Sequence, residues 1–155
     1  DAGCATSTRG IIFGGYEDGG SNAVNQIQYI TIGSTGNASD FGDMSASVYS
    51  LMACSSETRA VRAGGFAINN VMEYITIANT GNTTDFGDLT AGRAQGGGTS
   101  SSTRGVFGGG KTDDNRVNII DYITIGSTGN ASDFGDLTAT RIYCSMTSSD
   151  HGGVQ

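Results

Sequence analysis

The sequence has no proline and no tryptophan, and it contains one lysine, one histidine and three cysteines in 155 residues. Nucleic-acid binding requires a basic stripe against the phosphates, and a net charge of −7 with a single lysine does not supply one. No stretch approaches the roughly 20 apolar residues of a membrane-spanning helix. We therefore expect neither a nucleic-acid partner nor a membrane span.

The residues of catalytic, metal and disulfide chemistry are equally scarce. Cys4 and Cys54 each lie five residues before a recurring arginine, and Cys144 falls in the corresponding segment of a later repeat. We expect these cysteines to be unbonded fillers, because an odd, unspaced trio is no disulfide framework. His151 has no placed nucleophile with which to form a triad. The sequence thus predicts a protein that is not an enzyme and holds no cofactor or metal.

Repetition is what the chain has in abundance. A motif of the form YITIxxTGNxxDFGDxxA occurs three times, with its tyrosines 45 and then 48 residues apart, at Tyr29–Ala46, Tyr74–Ala91 and Tyr122–Ala139. A fixed period of this size predicts a stacked or radial array of one supersecondary unit. We treat residues 1–155 as one segment made of approximate repeats 1–45, 46–91 and 92–139 and the start of a fourth, 140–155.

Each repeat predicts four short β-strands, so the expected fold class is all-β. The Ile-Thr-Ile run after the tyrosine is β-branched and lies in a stretch with apolar residues on both faces, which favours a strand covered on both sides. Thr-Gly-Asn predicts a tight turn with positive φ, and Asp-Phe-Gly-Asp-Leu predicts a return strand. Upstream lie a small-residue inner strand, Ala94–Ser102 in the third copy, and an apolar strand that ends in a glycine pair, Gly108-Gly109.

This order of residues resembles the kelch repeat. Kelch units are marked by an opening arginine, a diglycine, a tyrosine and a late aromatic residue, here Arg93, Gly108-Gly109, Tyr122 and Phe134. The resemblance implies that each repeat is a four-stranded antiparallel blade of a β-propeller. Propellers close with about 4–8 blades, so the chain would be part of a larger ring, completed by the remainder of the same chain or by further copies. The chain departs from kelch in having phenylalanine where tryptophan is usual and in lacking proline.

A more specific resemblance covers nearly the whole chain. The pattern YITIxxTGNAxDFGDLTAxR is similar to tandem arrays in structural proteins of marine cyanobacterial bacteriophages. It implies a virion structural protein of a tail fibre or appendage, located in the virion and outside the cell. Its implied partners are other virion proteins and a glycan or protein of the host surface. The alternative is a kelch-like interaction adaptor, or the non-catalytic part of a propeller enzyme.

Charged residues that recur with the repeat are interpreted as structural. Calcium ligation by the aspartates and nearby asparagines is the alternative, although each repeat offers few of the six to eight oxygen ligands that calcium takes. We expect the aspartates to bond turn amides or to pair with the recurring arginines, and we expect the arginines to meet aspartates or carbonyls at a blade edge. The set comprises Arg9, Arg59, Arg104, Asp40, Asp85 and Asp133.

The repeats differ most between the glycine pair and the tyrosine, where the connection is long, short and long in turn. Variation on one face of a repeated scaffold is where arrays usually place recognition, and neutral drift of the loops is the alternative. An aromatic ring with short polar side chains suits a saccharide. The candidate ligand-binding residues are Tyr16, Glu17, Asp18, Asn22, Lys111, Asp113, Asp114 and Arg116.

Overall fold

The chain folds entirely as β-structure over the part that the computed structural model describes, residues 2–17, 22–67, 69–113 and 115–148. Its 14 strands form three four-stranded antiparallel sheets and one two-stranded hairpin, and these residues contain no helix. The all-β prediction is confirmed.

We call the three large sheets units 1, 2 and 3. Unit 1 comprises β1 (Ala2–Ala5), β2 (Arg9–Glu17), β3 (Asn22–Thr31) and β4 (Ser39–Asp43). Unit 2 comprises β5 (Met52–Ser55), β6 (Arg59–Ala63), β7 (Val71–Thr76) and β8 (Thr84–Asp88). Unit 3 comprises β9 (Gly97–Ser100), β10 (Arg104–Gly108), the small hairpin β11 (Lys111–Thr112) and β12 (Asn115–Arg116), β13 (Ile119–Thr124) and β14 (Ser132–Asp136). In each sheet the strands lie in chain order.

The Asp-Phe-Gly triplet forms a β-bulge in each return strand. In unit 1, Ile27 pairs with Gly42 and the next residue pairs with Asp40, so Phe41 is the extra residue, and the same shift recurs in units 2 and 3. Gly42 takes φ = 143°, a conformation that an L side chain rarely adopts. The bulge directs the phenylalanine onto the tyrosine of the neighbouring strand, with ring centroids 5.9 Å apart in unit 1.

Two sequence predictions about glycine segments are wrong in detail. The tight turn closes one step before Thr-Gly-Asn, since the Ser34 amide donates to the Thr31 carbonyl, and the three Thr-Gly-Asn asparagines do not take positive φ. In units 2 and 3 the segment pairs with the return strand of the preceding unit, an interaction that local propensity does not encode. The glycine pair of unit 3 lies one residue later than predicted, at Gly109 (φ = 68°) and Gly110 (φ = 103°).

Every sheet has two faces. We call the face that is directed towards the preceding unit of the chain the leading face, and the face that is directed towards the following unit the trailing face. The leading face carries Ile12, Gln28, Ile30 and Ile32 in unit 1, Arg62, Glu73, Ile75 and Ile77 in unit 2, and Phe107, Asp121, Ile123 and Ile125 in unit 3. The trailing face carries Ile11, Phe13, Ile27, Tyr29 and Phe41 in unit 1, with Val61, Ala63, Met72, Tyr74 and Phe86 in unit 2, and Val106, Gly108, Ile120, Tyr122 and Phe134 in unit 3.

The units stack trailing face on leading face, and the core consists of these two junctions. One apolar cluster joins the trailing face of unit 1 to the leading face of unit 2, and a second joins unit 2 to unit 3 in the same way. The tyrosine strand is therefore covered on both faces only in the middle unit. The prediction of burial on both faces does not hold in units 1 and 3, because each of their outer faces has no neighbouring sheet among the described residues.

Hydrogen bonds repeat across both junctions. The Gly81 amide donates to the Phe41 carbonyl and the Gly129 amide to the Phe86 carbonyl, both at 2.7 Å. The side-chain oxygens of Asn82 and Asn130 accept from the Asp43 and Asp88 amides, both at 3.0 Å. The return strands β4 and β8, which would otherwise be bare sheet edges, are thus bound by the Gly-Asn segment of the next unit.

The two bulge glycines Gly87 and Gly135 test this packing as a matched pair, because both take φ = 135°. A Cβ at Gly87 would lie 2.5 Å from the Gly129 carbonyl oxygen, whereas a Cβ at Gly135 would meet nothing within 4 Å. We expect Gly135→Ala to lower the free energy of unfolding by about 1–3 kcal/mol through backbone strain alone. Gly87→Ala should cost at least about 2 kcal/mol more, because it also forces a junction apart. Urea unfolding measures both, and equal losses would contradict this account of the junction.

Candidate functional site

The face that carries the connections between the second and third strands of the units holds the predicted ligand-binding residues, and we call it the loop face. In unit 1 this connection extends β2 and β3, with Glu17 opposite Asn22. In unit 3 it is the β11–β12 hairpin, with Lys111 opposite Arg116. In unit 2 it is the short stretch that contains Phe66.

Three aromatic rings and one ammonium group form a continuous row on the loop face, which we call the aromatic column. The Tyr16 and Tyr49 ring centroids lie 4.2 Å apart, and the Tyr49 and Phe66 rings stack at 4.5 Å. The Lys111 ammonium lies over the Phe66 ring, 6.0 Å from its centroid. The column therefore links residues from all three units.

The column brings together two of the predicted residues, Tyr16 and Lys111, from loops that lie far apart in the sequence. Tyr49 and Phe66, which connect them, were not predicted, because only the fold places these two rings between the loops. Burial, joined by the hydrogen bond with Tyr16, raises the pKa of Tyr49 to about 12. The Tyr49 hydroxyl, which is neutral at physiological pH even at the ordinary tyrosine pKa of 10.0, can donate a hydrogen bond.

The remaining predicted residues surround the column or lie outside the described residues. Glu17, Asn22, Asp113 and Arg116 are exposed. Within the described part of the chain none of these four side chains makes a hydrogen bond, ion pair or ring contact with the column, so the structure does not gather them into one pocket. Asp18 and Asp114, also predicted to bind ligand, lie outside the described residues, as does His151.

The recurring arginines join neighbouring units instead of pairing with the recurring aspartates. The Arg9 and Arg59 guanidinium groups donate to the Ile77 and Ile125 carbonyls of the following unit, at 2.6 and 3.1 Å. Each arginine also lies over the tyrosine of its own unit, and Arg104 does the same over Tyr122 at 4.7 Å. Arg104 has no such carbonyl partner among the described residues.

The recurring aspartates are exposed in all three units. Asp133 accepts a hydrogen bond from the Gly135 amide at 3.2 Å, a bond within its own strand. The described ion pairs do not include Asp40, Asp85 or Asp133. The expectation that these aspartates pair with the recurring arginines is therefore wrong, because the bulge turns the carboxylates towards solvent.

Two buried ion pairs at the junctions were missed by the sequence analysis. In unit 2, Arg62 binds Glu73 at 2.7 Å with both side chains almost fully buried. At the second junction, Arg93 binds Asp121 at 2.6 Å, and neither side chain is exposed. The Thr90 hydroxyl completes this second site by donating to Asp121 at 2.6 Å.

The two arginines bind acidic residues at equivalent positions of units 2 and 3, although the arginines themselves lie at different positions of the repeat. Arg62 and Phe107 are equivalent, since each pairs in register with the acidic residue of the next strand. Val48 and Arg93 are equivalent, since the carbonyl of each accepts from the second glycine of its glycine pair. Each junction thus contains one arginine and one apolar residue, in opposite arrangement.

The cysteines lie unbonded in the fold, as the sequence predicted. All three cysteines are free, and burial raises the pKa of Cys4 to about 12 and that of Cys54 well above its usual range. Among the described residues no group of three or more His, Cys, Asp or Glu could hold a metal ion. No helix in the same part of the chain is suited to cross a membrane.

Arg59 and Arg104 form a matched pair that isolates the inter-unit hydrogen bond. Arg59→Ala removes a charged donor from the Ile125 carbonyl, and we expect a loss of about 1.5–3 kcal/mol in the free energy of unfolding. Arg104→Ala removes only an exposed contact with a ring and should cost less than about 1 kcal/mol. Urea unfolding of the dilute protein compares the two, and equal losses would show that the bond to Ile125 contributes nothing.

Glu73 predicts how the first junction responds to acid. Burial works to raise the pKa of this carboxyl, but hydrogen bonding from Ser45 and the charge and hydrogen bonds of Arg62 outweigh it and hold the pKa below its ordinary 4.5. Its contribution is therefore fully present above pH 4.5 and is lost as the pH falls through the lower pKa of the folded state.

We expect Glu73→Gln to destabilise the protein by about 3–5 kcal/mol at pH 7, because it leaves Arg62 without its counterion. The difference from the unsubstituted chain should shrink progressively in acid, measured by urea unfolding at a series of pH values. The exposed Glu57 provides the control, and Glu57→Gln should change stability little at any pH. A difference for Glu73→Gln that stays constant down to pH 3 would rule out this role.

No protein-family model matches the chain, and no curated protein is similar to it.

Proposed function

We propose that the chain is a structural module of a virion appendage, in which its units are blades of a kelch-like propeller that is part of a larger ring. We further propose that its loop face attaches to a saccharide of the host surface. The appendage assignment rests on the resemblance of the repeat to phage structural arrays. Support for blades comes from three four-stranded sheets with strands in chain order, as in propeller blades, and from first strands β1, β5 and β9 that lie side by side.

The attachment proposal rests on one observation, the aromatic column on the loop face. Tyr16 is 43 % exposed and Phe66 42 % exposed, so the column presents apolar ring surface to solvent. A sugar offers C–H groups to a ring and hydroxyl groups to short polar side chains. Glu17 and Asp113, from the long loops of units 1 and 3, provide carboxylates as acceptors on the same face.

A structural role also agrees with where the charged residues are placed. The buried charges all lie at the junctions: Arg93 and Asp121 pair across the second junction, and Arg62 and Glu73 pair within unit 2 on the face that the first junction covers. One weak site per chain is sufficient for attachment, because many copies on a particle raise avidity by about 10²–10⁴ without any new contact.

The test measures adhesion of beads coated with the full chain to marine cyanobacterial cells. Glu17→Ala/Asp113→Ala should reduce adhesion at least about tenfold, since each lost hydrogen bond from a charged group is worth about 1.5–3 kcal/mol. The control is Glu57→Ala/Asp85→Ala, which removes the same charge from exposed positions away from the loop face. Control beads should adhere as well as those carrying the unsubstituted chain.

The chemical class of the receptor is tested on the same cells. Periodate oxidation of the cell surface should abolish adhesion, and protease treatment should leave it unchanged. Full adhesion by the loop-face variant would contradict the proposed site. Adhesion that is sensitive to protease and resistant to periodate would show that the receptor is a protein and would contradict the saccharide.

A further inference from the structure

The leading face of unit 1, at one end of the stack, exposes residues whose equivalents in units 2 and 3 are buried. On the leading face of unit 1, Ile12 is 41 %, Ile30 39 % and Ile32 51 % exposed. The equivalents of Ile30 and Ile32 in the two following units are at most 3 % exposed. These isoleucines form an apolar surface of the kind that each junction covers.

The trailing face of unit 3, at the other end of the stack, exposes a residue whose equivalents form the opposite side of each internal junction. Phe134 is 52 % exposed on the trailing face of unit 3, whereas its two equivalents are 2 % exposed. No Gly-Asn segment among the described residues binds the Phe134 carbonyl or the Asp136 amide, whereas their equivalents bind such a segment at both internal junctions. The Arg104 guanidinium likewise lacks the carbonyl that Arg9 and Arg59 bind.

The two end faces also agree in where they place arginine. Arg141 is equivalent to Val48 and Arg93, because the carbonyls of all three accept from the second glycine of a glycine pair. Opposite it, at the position of Arg62 and Phe107, unit 1 carries the apolar Ile12. Joining the end faces would therefore reproduce the combination of one arginine and one apolar residue.

We propose that a second copy of this chain docks the leading face of its unit 1 onto the trailing face of unit 3. A second copy is the partner that fits, because the two exposed end faces are a trailing and a leading face, and a trailing and a leading face meet at both internal junctions. In the complex, Arg104 donates to the Ile32 carbonyl of the second copy, and Phe134 packs under its Ile30. The Gly36 amide and Asn37 side chain of the second copy bind the Phe134 carbonyl and the Asp136 amide.

Two features make this junction weaker than the internal ones. Gln28 stands where units 2 and 3 carry Glu73 and Asp121, so Arg141 meets an amide oxygen and not a carboxylate. The chain's own residues 144–148 also cover part of this face, because Met146 lies against Gly108 and the Ser148 hydroxyl donates to the Ser100 carbonyl of β9 at 2.5 Å.

That place beside β9 is where the first strand of the incoming copy belongs. At the internal junctions, the Ser55 hydroxyl donates to the Ala5 carbonyl and the Ser100 hydroxyl to the Ser55 carbonyl. Residues 145–148 make no strand ladder, whereas β1 pairs with β2 over four residues. Docking therefore requires the segment 145–148 to leave this place to β1 of the second copy.

This inference deepens the proposed function and rests on the proposal that the chain assembles through its units. Two copies supply six units, within the range of about 4–8 that closed propellers contain. Head-to-tail interfaces close into a ring when the rotation allows. The expected product is therefore a dimer of the 15.8 kDa chain.

The experiment is analytical ultracentrifugation of the full chain from micromolar to millimolar concentration. We expect a reversible monomer–dimer equilibrium. Ile30→Asp and Phe134→Asp should each abolish self-dimerisation, because in a dimer of either variant both of the interfaces that close the ring contain the substituted residue. An equimolar mixture of the two variants should recover a dimer, because one retains an intact trailing face and the other an intact leading face. Gln28→Glu, which restores a carboxylate opposite Arg141, should tighten dimerisation about tenfold.

The matched control is Phe66→Asp, which places the same charge at an apolar residue of similar exposure in the middle unit. It should dimerise like the unsubstituted chain, and circular dichroism should show that every variant is folded. The proposal would be overturned if the unsubstituted chain and the Gln28→Glu variant were both monomeric at all concentrations. A dimer that Ile30→Asp leaves intact, an inert mixture of the two variants, or growth beyond the dimer would also overturn it.

Failure of this inference is distinguishable from failure of the proposed attachment. The beads in the adhesion assay display many chains whether or not the chains dimerise. Adhesion with a strictly monomeric chain would overturn the docking alone. Dimerisation without adhesion would overturn the attachment alone.

Discussion

The stacking of one apolar sheet face on another is the interaction on which the molecule depends. A unit of fewer than about 50 residues cannot bury a sufficient core by itself, and single cores below about 70–80 residues seldom contribute more than about 3–5 kcal/mol. Here the sheets are apolar on both faces, so each unit is stabilised by its neighbours. The stability of such an array is approximately a sum over units and nearest-neighbour junctions. The middle unit, held on both sides, is the most constrained part of the chain.

The buried ion pairs fix the order in which units stack. A buried ion pair seldom adds stability relative to well-packed apolar residues, and its clearest benefit is register. If unit 3 stacked directly on unit 1, Asp121 would meet Val48 and Phe107 and would lose its arginine. If the trailing face of unit 2 met the leading face of another unit 2, Arg93 and Arg62 would share the single Glu73. Both wrong pairings bury an uncompensated charge, so the near-identical units are still distinguished.

The sequence predicted what depends on local pattern and missed what depends on the neighbouring unit. The four strands of each repeat follow from apolar residues on the strand faces, from β-branched residues and from the fixed period. Both these strands and the all-β class could therefore be predicted. The prediction of a tight turn at Thr-Gly-Asn was wrong, and in units 2 and 3 this segment binds the return strand of the preceding unit, a contact that local pattern does not encode. Arg62 and Arg93 could not be assigned partners, because their role appears only once the register of two sheets is known. The Tyr49 and Phe66 rings were missed for the same reason.

The same division separates the assembling surfaces from the loop face. Leading and trailing faces must match each other, so their residues are constrained by packing, charge and hydrogen bonding at once. The loops between the second and third strands take no part in these contacts and can differ in length between units. The aromatic column nevertheless ties residues of these loops to all three units, so the loop face is held by the stack beneath it. A surface that is ordered before it meets a ligand avoids the entropic cost of ordering on binding. The stacking that stabilises the fold therefore also prepares the surface that we propose for attachment.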